Sequence, residues 1–336
     1  MIEHNGCHMG GFFVYNQSEA ILQQYDLEIK QISRGRGAYI CETNEGKKLL
    51  MPFRGSKERA MFLREVLIRL AENGYETEQI MLTKEGGAVA LDDMGTRYWL
   101  KDMISGGECS TSREPDMMRA VTQLARLHSA LLAYAPEIPD FIRTDRNDPA
   151  NTYRRHYREL IKVKNYVLAR HGRNEFERRF LMQYEHYMQD AGEVIRMINE
   201  KELHPMKGLC HGDFNQHNVL RTADGFRIVN FENMSYAMPV LDLANFVRKM
   251  LEKNGWQKNL GMQLVEQYDR ERTMSTDERT LLYLVLLFPE KFWKISNHYS
   301  NSRKTWGSER EIEKLERMDA LEEQRHAFLE NMFLFL

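Results

Sequence analysis

The sequence carries no excess of charge of either sign. Among its 336 residues, 47 lysines and arginines nearly balance 49 aspartates and glutamates, which leaves a formal net charge of −2 at pH 7. Proteins that bind nucleic acid along its phosphate backbone usually present a basic surface. The balance of charge therefore gives no reason to expect a nucleic-acid partner, and we predict none.

Long apolar runs are absent as well. The most apolar stretch, residues 281–288, has the length of a core helix, whereas a transmembrane helix needs about 20 apolar residues. Residues 1–16 contain Glu3 and His4 in place of the lysines and the long apolar segment of a signal peptide. We therefore predict neither a membrane span nor export, and we expect synthesis in the cytoplasm.

Cysteine is scarce and scattered. The four cysteines are Cys7, Cys41, Cys109 and Cys210. They form neither a C-x-x-C pair nor a disulfide framework, which is typical of a protein from a reducing compartment. Histidines accompany cysteine in residues 4–8 and 204–217, but neither cluster has a usual zinc spacing. We predict no zinc site at these cysteines.

The first hundred or so residues contain the alternation of apolar and polar side chains that half-buried strands show. Short strands are predicted at residues 27–32, 38–43, 47–53, 80–83 and 98–100. Residues 44–46, Asn-Glu-Gly, have the composition of a hairpin turn. An apolar stripe from Ser56 to Asn73 predicts a helix, because serine is a good N-cap and a glycine follows Asn73.

A glycine-bearing segment, residues 104–107, has the composition of a hinge. From Asp116 the apolar spacing becomes helical, and amphipathic stretches continue to about Lys201. We predict an α+β fold with two lobes. Residues 1–103 form a small, antiparallel β-rich lobe with one helix, and residues 104–336 form a large helical lobe.

Residues 209–220 contain the pattern with the clearest chemical meaning. They include His-Gly-Asp and, five residues after the aspartate, asparagine, all within residues 211–218. A turn and a strand that ends in Ile-Val-Asn-Phe-Glu follow. Phosphoryl transfer needs a base for the acceptor hydroxyl and ligands for magnesium. Asp213 has the position of the base and Asn218 that of a ligand; alternatively, the motif is a capping turn with a loop amide.

This order of elements resembles the aminoglycoside phosphotransferase/choline kinase-like superfamily, whose catalytic loop has the same His-Gly-Asp and asparagine. Residues 288–306, rich in aromatic and basic side chains, more particularly resemble the CotS family of spore coat proteins, a branch of that superfamily in spore-forming bacteria. Gly106 in the hinge and residues 242–244, Asp-Leu-Ala, also fit. The resemblance spans about residues 25–310.

The resemblance implies a protein-kinase-like (aminoglycoside phosphotransferase-like) fold, with ATP and magnesium as cofactors. It also implies other spore coat proteins as partners and a final location in the spore coat. The glycine turn of residues 35–37 would cover the phosphates, although a simple hairpin has the same composition. The nucleotide-binding positions implied are Arg34, Gly35, Arg36, Gly37, Met51, Glu65, Lys101 and Met103.

The first departure from the family pattern is Met51. The third strand of the family offers a lysine to the α- and β-phosphates, and methionine neither carries charge nor donates a hydrogen bond. The usual acidic partner on the following helix would be Glu65, which then lacks its ion-pair mate. Lys47 lies on the same side of the strand, but about 13 Å away at the rise of a strand.

The second departure is Asn230, where the family has an aspartate that binds magnesium. An amide offers magnesium a neutral oxygen in place of the anionic one that it prefers. Glu232 would point to the same side of an extended chain and could take the metal instead. Arg34 or Arg36 could likewise supply the charge that Met51 lacks. Without such a substitution, the two departures predict a pseudokinase or a very weak phosphotransferase.

Three functions remain open. The first is a non-catalytic coat component or assembly factor, for which residues 288–306 would either anchor a protein interface or pack as an amphipathic helix. The second is an active phosphotransferase that uses ATP and magnesium to phosphorylate a hydroxyl of a small molecule. The third is a sensor that binds ATP without metal. Arginines within residues 140–201 fit either an acidic acceptor or a solvated face.

Overall fold

A computed structural model describes residues 18–35, 37–134, 137–142, 148–301 and 309–336. The chain divides into two compact units. The first unit comprises Met1–Glu108 and His217–Met234, and the second comprises Cys109–Gln216 and Ser235–Leu336. Two stretches that are distant in sequence thus build each unit. The functional boundary at residue 103 stays a prediction.

The first unit is built on a five-stranded antiparallel sheet with the strand order β1-β2-β3-β5-β4. The strands are β1 Ile29–Arg34, β2 Tyr39–Thr43, β3 Gly46–Pro52, β4 Ala90–Leu91 and β5 Arg97–Asp102. Cys41, Leu50 and Leu100 are buried in one apolar cluster of this sheet. Apolar and polar residues alternate along these strands because every second side chain is buried on one face of the sheet.

The helix of the first unit, α1 Lys57–Glu72, lies where its cap signals predict it. The Ser56 hydroxyl accepts a hydrogen bond from the Arg59 backbone N–H at 3.2 Å, and Asn73 is the C-cap. The strand predicted at 80–83 is wrong, because only isolated bridges from Ile80 to Lys101 and from Tyr25 to Thr83 form there. A turn that begins at Thr83 ends the pairing, since its backbone N–H donates to the Gly87 carbonyl at 2.8 Å.

A second sheet of the first unit contains the hinge segment. Its strands are β6 Gly107–Glu108, β8 Val219–Thr222 and β9 Gly225–Ile228, in the order β6-β8-β9. Gly106 precedes β6, and a Cβ atom on it would lie 2.7 Å from the carbonyl oxygen of Arg221. Only glycine allows the two backbones to approach this closely. Packing against Arg221 therefore requires glycine at position 106.

The second unit is mostly helical. A two-stranded ladder pairs β7 Gly208–Cys210 with β10 Ser235–Ala237. Full capping boxes begin the helices that follow Asn174 and Ser275. The helices are α2 Glu114–Tyr134, α3 Pro149–Leu168, α4 Glu175–Glu200, α5 Val240–Lys253, α6 Lys258–Glu271, α7 Thr276–Leu287, α8 Glu290–Asn301, α9 Glu309–Asp319 and α10 Glu322–Leu334.

Helix α8 carries the aromatic residues considered above as interface anchors. Phe292 and Tyr299 are buried, and the Trp293 ring stacks on His156 with 3.4 Å between the ring centroids. The described part of residues 288–306 therefore packs as an amphipathic helix and does not present these rings to a partner. Trp306 lies outside the described residues. Among the helices of the described ranges, none combines the length and apolarity that a membrane crossing needs.

Candidate functional site

The first part of the catalytic-loop motif, His211 to Asp213, lies in the second unit and follows strand β7. Gly212 has a φ of 79°, a left-handed conformation that glycine adopts at little cost. Asp213 is half-buried, and its Oδ1 accepts a hydrogen bond from the Asn215 amide at 3.0 Å. Burial lowers the pKa of the Lys249 ammonium, and Asp213 is the largest opposing charge.

Asp242 fixes the backbone of this loop. Its Oδ2 accepts the backbone N–H of His211 at 2.8 Å, and its Oδ1 accepts that of Gly212 at 3.1 Å. The side chain is buried and belongs to the first turn of helix α5. The sequence had marked Asp242 only as part of a family pattern. Its position in an Asp-Leu-Ala run after the metal strand is the signal that could have identified it as a positioning residue.

A chain of buried side chains supports Asp242 in turn. The His128 Nε2 lies 3.3 Å from the Asp242 carboxylate, and its Nδ1 lies 2.7 Å from the Tyr268 hydroxyl. Burial lowers the pKa of His128 despite the nearby Asp242, which favours a neutral ring. That ring donates from Nε2 to Asp242 and accepts at Nδ1 from Tyr268. Helices α2, α5 and α6 together hold the loop.

The second unit also contains a cavity of about 210 Å³ beside Gly212. Its lining includes Tyr153, Asp242, Arg248 and Glu290. Burial alone would raise the pKa of Glu290, but hydrogen bonding to His156 and the nearby cations lower it to about 2. The cavity therefore carries fixed charges of both signs.

Among the arginines within residues 140–201 that the structure describes, none lines this cavity. Arg154 and Arg155 are exposed to solvent, which favours the solvated charged face, while Arg143 and Arg146 lie outside the described residues. Arg248, which the sequence analysis did not consider, is the cation of the cavity. An acceptor that bound here would face both Arg248 and Glu290.

The last part of the motif lies in the first unit, where Asn218 meets Asn230. The Asn230 side-chain amide donates from Nδ2 to the Asn218 Oδ1 at 2.8 Å. Its Oδ1 accepts from the Lys101 ammonium, also at 2.8 Å. Glu78 completes the group, since its Oε1 accepts from Lys101 at 2.9 Å and from the Asn230 backbone N–H at 2.8 Å. We call these four residues the Asn230 network.

The Asn230 network is largely buried, and its formal charges cancel. Glu78, Lys101 and Asn218 are buried, and Asn230 is partly buried. Lys101 and Glu78 contribute one positive and one negative charge beside two neutral amides. The Asn230 oxygen accepts from the Lys101 ammonium, and the Asn218 oxygen accepts from the Asn230 amide. Because magnesium prefers anionic oxygen ligands, Asn218 and Asn230 do not fit a magnesium site in this arrangement.

Glu232 does not take the place of Asn230 in the way that an extended chain would allow. Asn230 has φ 68° and ψ 57°, a left-handed conformation that asparagine tolerates, and Phe231–Asn233 forms a 3₁₀ helix. The alternation of an extended strand does not apply to such a segment, so that argument for Glu232 was wrong. The Glu232 carbonyl oxygen accepts from the Arg59 guanidinium at 2.9 Å.

Lys101 lies on the same face of the sheet as Met51. Met51 pairs with Trp99 and Leu49 with Lys101 across strands β3 and β5, so Lys101 is the diagonal neighbour of Met51. A lysine is thus present on the neighbouring strand, on the face that Met51 occupies.

The acidic partner of this buried lysine is Glu78. Glu65, the acidic partner predicted for a lysine at position 51, is exposed on helix α1, and its role toward a nucleotide stays a prediction. Lys47 pairs instead with Glu42 at 3.0 Å, and both side chains are about half exposed. It therefore does not replace the missing lysine either.

The remaining predicted nucleotide-binding residues lie at two places in the first unit. Arg34 ends β1, and Gly35 and Gly37 lie in the turn between β1 and β2. The Gly35 N–H donates to the Ala38 carbonyl at 2.9 Å, and Gly37 has a φ of 74°. Arg36 lies outside the described residues. Met103 follows β5, and its N–H donates to the Lys47 carbonyl at 3.0 Å. Their role toward a nucleotide stays a prediction.

Comparison with known proteins places this geometry in a family. Residues 18–332 match the family described as spore coat putative kinase YutH. The chain is 23% identical to spore coat protein S of Bacillus subtilis (strain 168) over 326 residues, which cover 93% of this chain and 92% of that protein. These matches confirm the predicted relationship to the CotS family.

Solved structures show the same fold. An aminoglycoside phosphotransferase from Alicyclobacillus acidocaldarius is 18% identical with a TM-score of 0.83, covering 94% of this chain and 95% of its own. A spectinomycin phosphotransferase solved with ADP and spectinomycin is 14% identical with a TM-score of 0.59, covering 92% and 96%. The predicted α+β, aminoglycoside phosphotransferase-like fold is confirmed.

Proposed function

Because the chain belongs to the spore coat putative kinase YutH family, we propose that it is a pseudokinase that acts as a component or assembly factor of the spore coat. The observation that carries the non-catalytic part is the Asn230 network. The metal-binding carboxylate of the family is absent, and the amide in its place already bonds to Lys101 and Asn218.

The neutrality of this network explains how the site is stable without a metal. An aspartate at position 230 would place a second carboxylate next to Glu78, and the single ammonium of Lys101 would leave one negative charge in a buried site. A bound cation would normally balance that charge. With asparagine the balance is complete, so magnesium gains little by binding here.

The expected loss of activity is large. Removing one aligned electrostatic contact from an active site costs about 10²–10³ in rate. Because both a lysine at position 51 and a carboxylate at position 230 are absent, the rate of phosphoryl transfer would fall by a factor of about 10⁴–10⁶ if the two effects are independent. A kinase with a turnover of about 1–100 per second would then be nearly inactive.

The coat assignment is carried by the relatives. The relative from Bacillus subtilis is spore coat protein S, and the matching family is described as spore coat putative kinase YutH. We propose other coat proteins as partners and the spore coat of a spore-forming bacterium as the final location, after synthesis in the cytoplasm.

One observation favours an active phosphotransferase as the second candidate. Asp213 and Asn218 are both present, and Asp242 holds the loop before Asp213 with two hydrogen bonds. In that function Asp213 would accept the proton of a hydroxyl acceptor in the cavity beside Gly212. A nucleotide sensor would bind ATP through the first unit without metal.

We expect ATP binding to show no dependence on magnesium. The measurement is calorimetric titration of the full chain with ATP, with and without magnesium, together with an Asp213→Ala variant. Either no binding or an equal affinity in both conditions is expected, and ATP hydrolysis should stay at background. An equal affinity for ATP with and without magnesium would support a nucleotide sensor. Absence of ATP binding would support a coat protein without a nucleotide-dependent function.

Magnesium-dependent tightening that changes in Asp213→Ala would contradict the pseudokinase proposal. The active phosphotransferase would then be the better description, and small hydroxyl compounds should be screened as acceptors. The coat role is tested separately by fractionating spores and by capturing known coat proteins on the tagged chain, so the two halves of the proposal can fail independently.

Substituting Asn230→Asp is expected to make the stability of the protein depend on magnesium. The new carboxylate would face the Asn218 oxygen and add a charge to the buried network, which should cost about 1–3 kcal/mol in unfolding free energy without magnesium. Magnesium should recover part of this loss by binding the folded state. Urea unfolding with and without magnesium measures both effects.

The matched control for this prediction is Asn233→Asp. Asn233 is exposed and lies three residues further along the same 3₁₀ segment, so its variant should unfold as the parent does in both conditions. If Asn230→Asp shows no more magnesium dependence than Asn233→Asp, position 230 is not the metal position of this chain.

A further inference from the structure

Four potential metal ligands converge in the second unit on two helices that the proposed function does not use. Helix α4 contributes His186 and Asp190, and helix α10 contributes Glu322 and His326. Each pair has an i, i+4 spacing, which places both side chains on one face of its helix. One ligand atom from each of the four residues lies within 4.8 Å of all the others.

The imidazole nitrogens already have the separation that a tetrahedral metal requires. The Nε2 atoms of His186 and His326 lie 3.3 Å apart. Two nitrogen ligands of a tetrahedral zinc ion, each about 2.0–2.1 Å from the metal, are about 3.3–3.4 Å apart. Both nitrogens also approach the Glu322 Oε1, His186 at 2.9 Å and His326 at 3.2 Å. The three atoms therefore point to one place.

Arg325 and Tyr187 orient the carboxylates. The Arg325 guanidinium donates to the Asp190 Oδ2 at 2.7 Å and to the Glu322 Oε1 at 2.6 Å, and the Tyr187 hydroxyl donates to the Glu322 Oε2 at 2.9 Å. The Glu322 Oε1 thus has one lone pair toward Arg325 and a second one for the metal. Asp190, Glu322 and Arg325 have side-chain exposures of 11%, 15% and 7%. Partners of this kind orient ligands and are a usual part of metal sites.

Charge and access both favour a cation. Asp190 and Glu322 carry two negative charges against the single positive charge of Arg325, which leaves one negative charge beside two imidazoles. The His186 and His326 side chains are 42% and 41% exposed, so a metal can reach them from solvent. Asp190 and His326 also line a surface groove with Tyr283 and Phe333.

We propose that His186, Asp190, Glu322 and His326 bind a divalent first-row transition metal of the zinc type, which ties the C-terminal helix α10 to helix α4. Mixed imidazole and carboxylate ligands suit zinc, whereas magnesium and calcium prefer oxygen ligands alone. Four protein ligands leave no open position on a tetrahedral ion, which is typical of structural sites. The metal therefore stabilises the fold at this pair of helices.

Calorimetric titration of the metal-free full chain with zinc chloride tests the proposal. We expect one zinc ion per chain, little or no binding of magnesium at this site, and a higher melting temperature with zinc. His186→Ala and His326→Ala should each weaken zinc binding by at least about 10-fold, and the double variant should lose the zinc-dependent shift in melting temperature.

Two controls make the test specific. His298→Ala removes a histidine that also pairs with a carboxylate, Glu311, but belongs to no such cluster among the residues that the structure describes, and this variant should bind zinc as the parent does. The parent and all variants carry Cys7→Ser, because residues 4–8 contain other possible zinc ligands. Circular dichroism of the metal-free variants checks that they fold.

The proposal is overturned by any of three results. Zinc fails to bind the folded parent, the double variant binds it with unchanged affinity, or His298→Ala lowers the affinity as much as His186→Ala does. The first result would mean that the cluster keeps its one net negative charge without binding a metal. None of these outcomes bears on the kinase site, so this proposal and the proposed function fail separately.

Discussion

Replacing Lys101 with methionine is expected to lower the free energy of unfolding by about 3–5 kcal/mol. The Lys101 ammonium is fully buried and donates to Glu78 at 2.9 Å and to Asn230 at 2.8 Å. Methionine has a similar length but no donor, so it would leave the Glu78 carboxylate in the interior without its ammonium partner. Urea unfolding followed by circular dichroism measures the change.

Two further variants test whether the loss of stability in Lys101→Met comes from breaking the buried ion pair or from the loss of a lysine in itself. Lys47→Met removes an ion pair whose members are about half exposed, and it should cost at most about 1 kcal/mol. Adding Glu78→Gln to Lys101→Met should recover more than half of the loss, because glutamine is neutral and still accepts the Asn230 N–H. A Lys101→Met cost no greater than that of Lys47→Met would show that the ion pair does not hold this site together.

The Asp242→Ala substitution is expected to lower the free energy of unfolding by about 3 kcal/mol. It should also leave the backbone of His211 and Gly212 without the acceptor that orders it. The buried carboxylate accepts the backbone N–H groups of His211 and Gly212 and contacts His128. An unsatisfied buried donor costs about 1–3 kcal/mol, and alanine offers these donors no acceptor. The free energy of unfolding is measured in urea, and hydrogen exchange reports on the two amides.

The local part of this prediction has its own readout. The amides of His211 and Gly212 should lose their exchange protection in Asp242→Ala, while amides in helix α4 keep theirs. Asp319→Ala, an exposed aspartate at the end of helix α9, is the control and should change neither quantity. Retained protection in Asp242→Ala would argue that the loop is held by other contacts.

The sequence was sufficient for the features that depend on neighbouring residues. The cap at Ser56, the alternation of strands β1 to β3 and the loop of residues 211–218 all follow from spacings of a few residues. These local patterns, taken in order along the chain, were specific enough to indicate the fold and the family. The absence of a lysine at 51 and of an aspartate at 230 could be recognised in the same way.

The consequence of those two absences needed the folded chain. Lys101 and Asn230 are 129 residues apart, and Glu78 and Asn230 are 152 residues apart. The register between β3 and β5 decides which lysine is buried. Asn230 has a left-handed conformation, so the chain from Asn230 to Glu232 is not extended, and the argument that both side chains point to the same side does not apply.

The sequence by itself determined the order of the elements, the catalytic-loop motif and the family, because each is encoded in short-range periodicity and spacing. Tertiary structure alone decided that Glu78 pairs with Lys101, that Asn230 is already bonded, and that His186 meets Glu322, 136 residues later. The physical reason is that burial and charge pairing depend on packing between distant segments. The sequence contains several lysines, glutamates and histidines, and no short-range pattern indicates which of them come into contact in the folded chain.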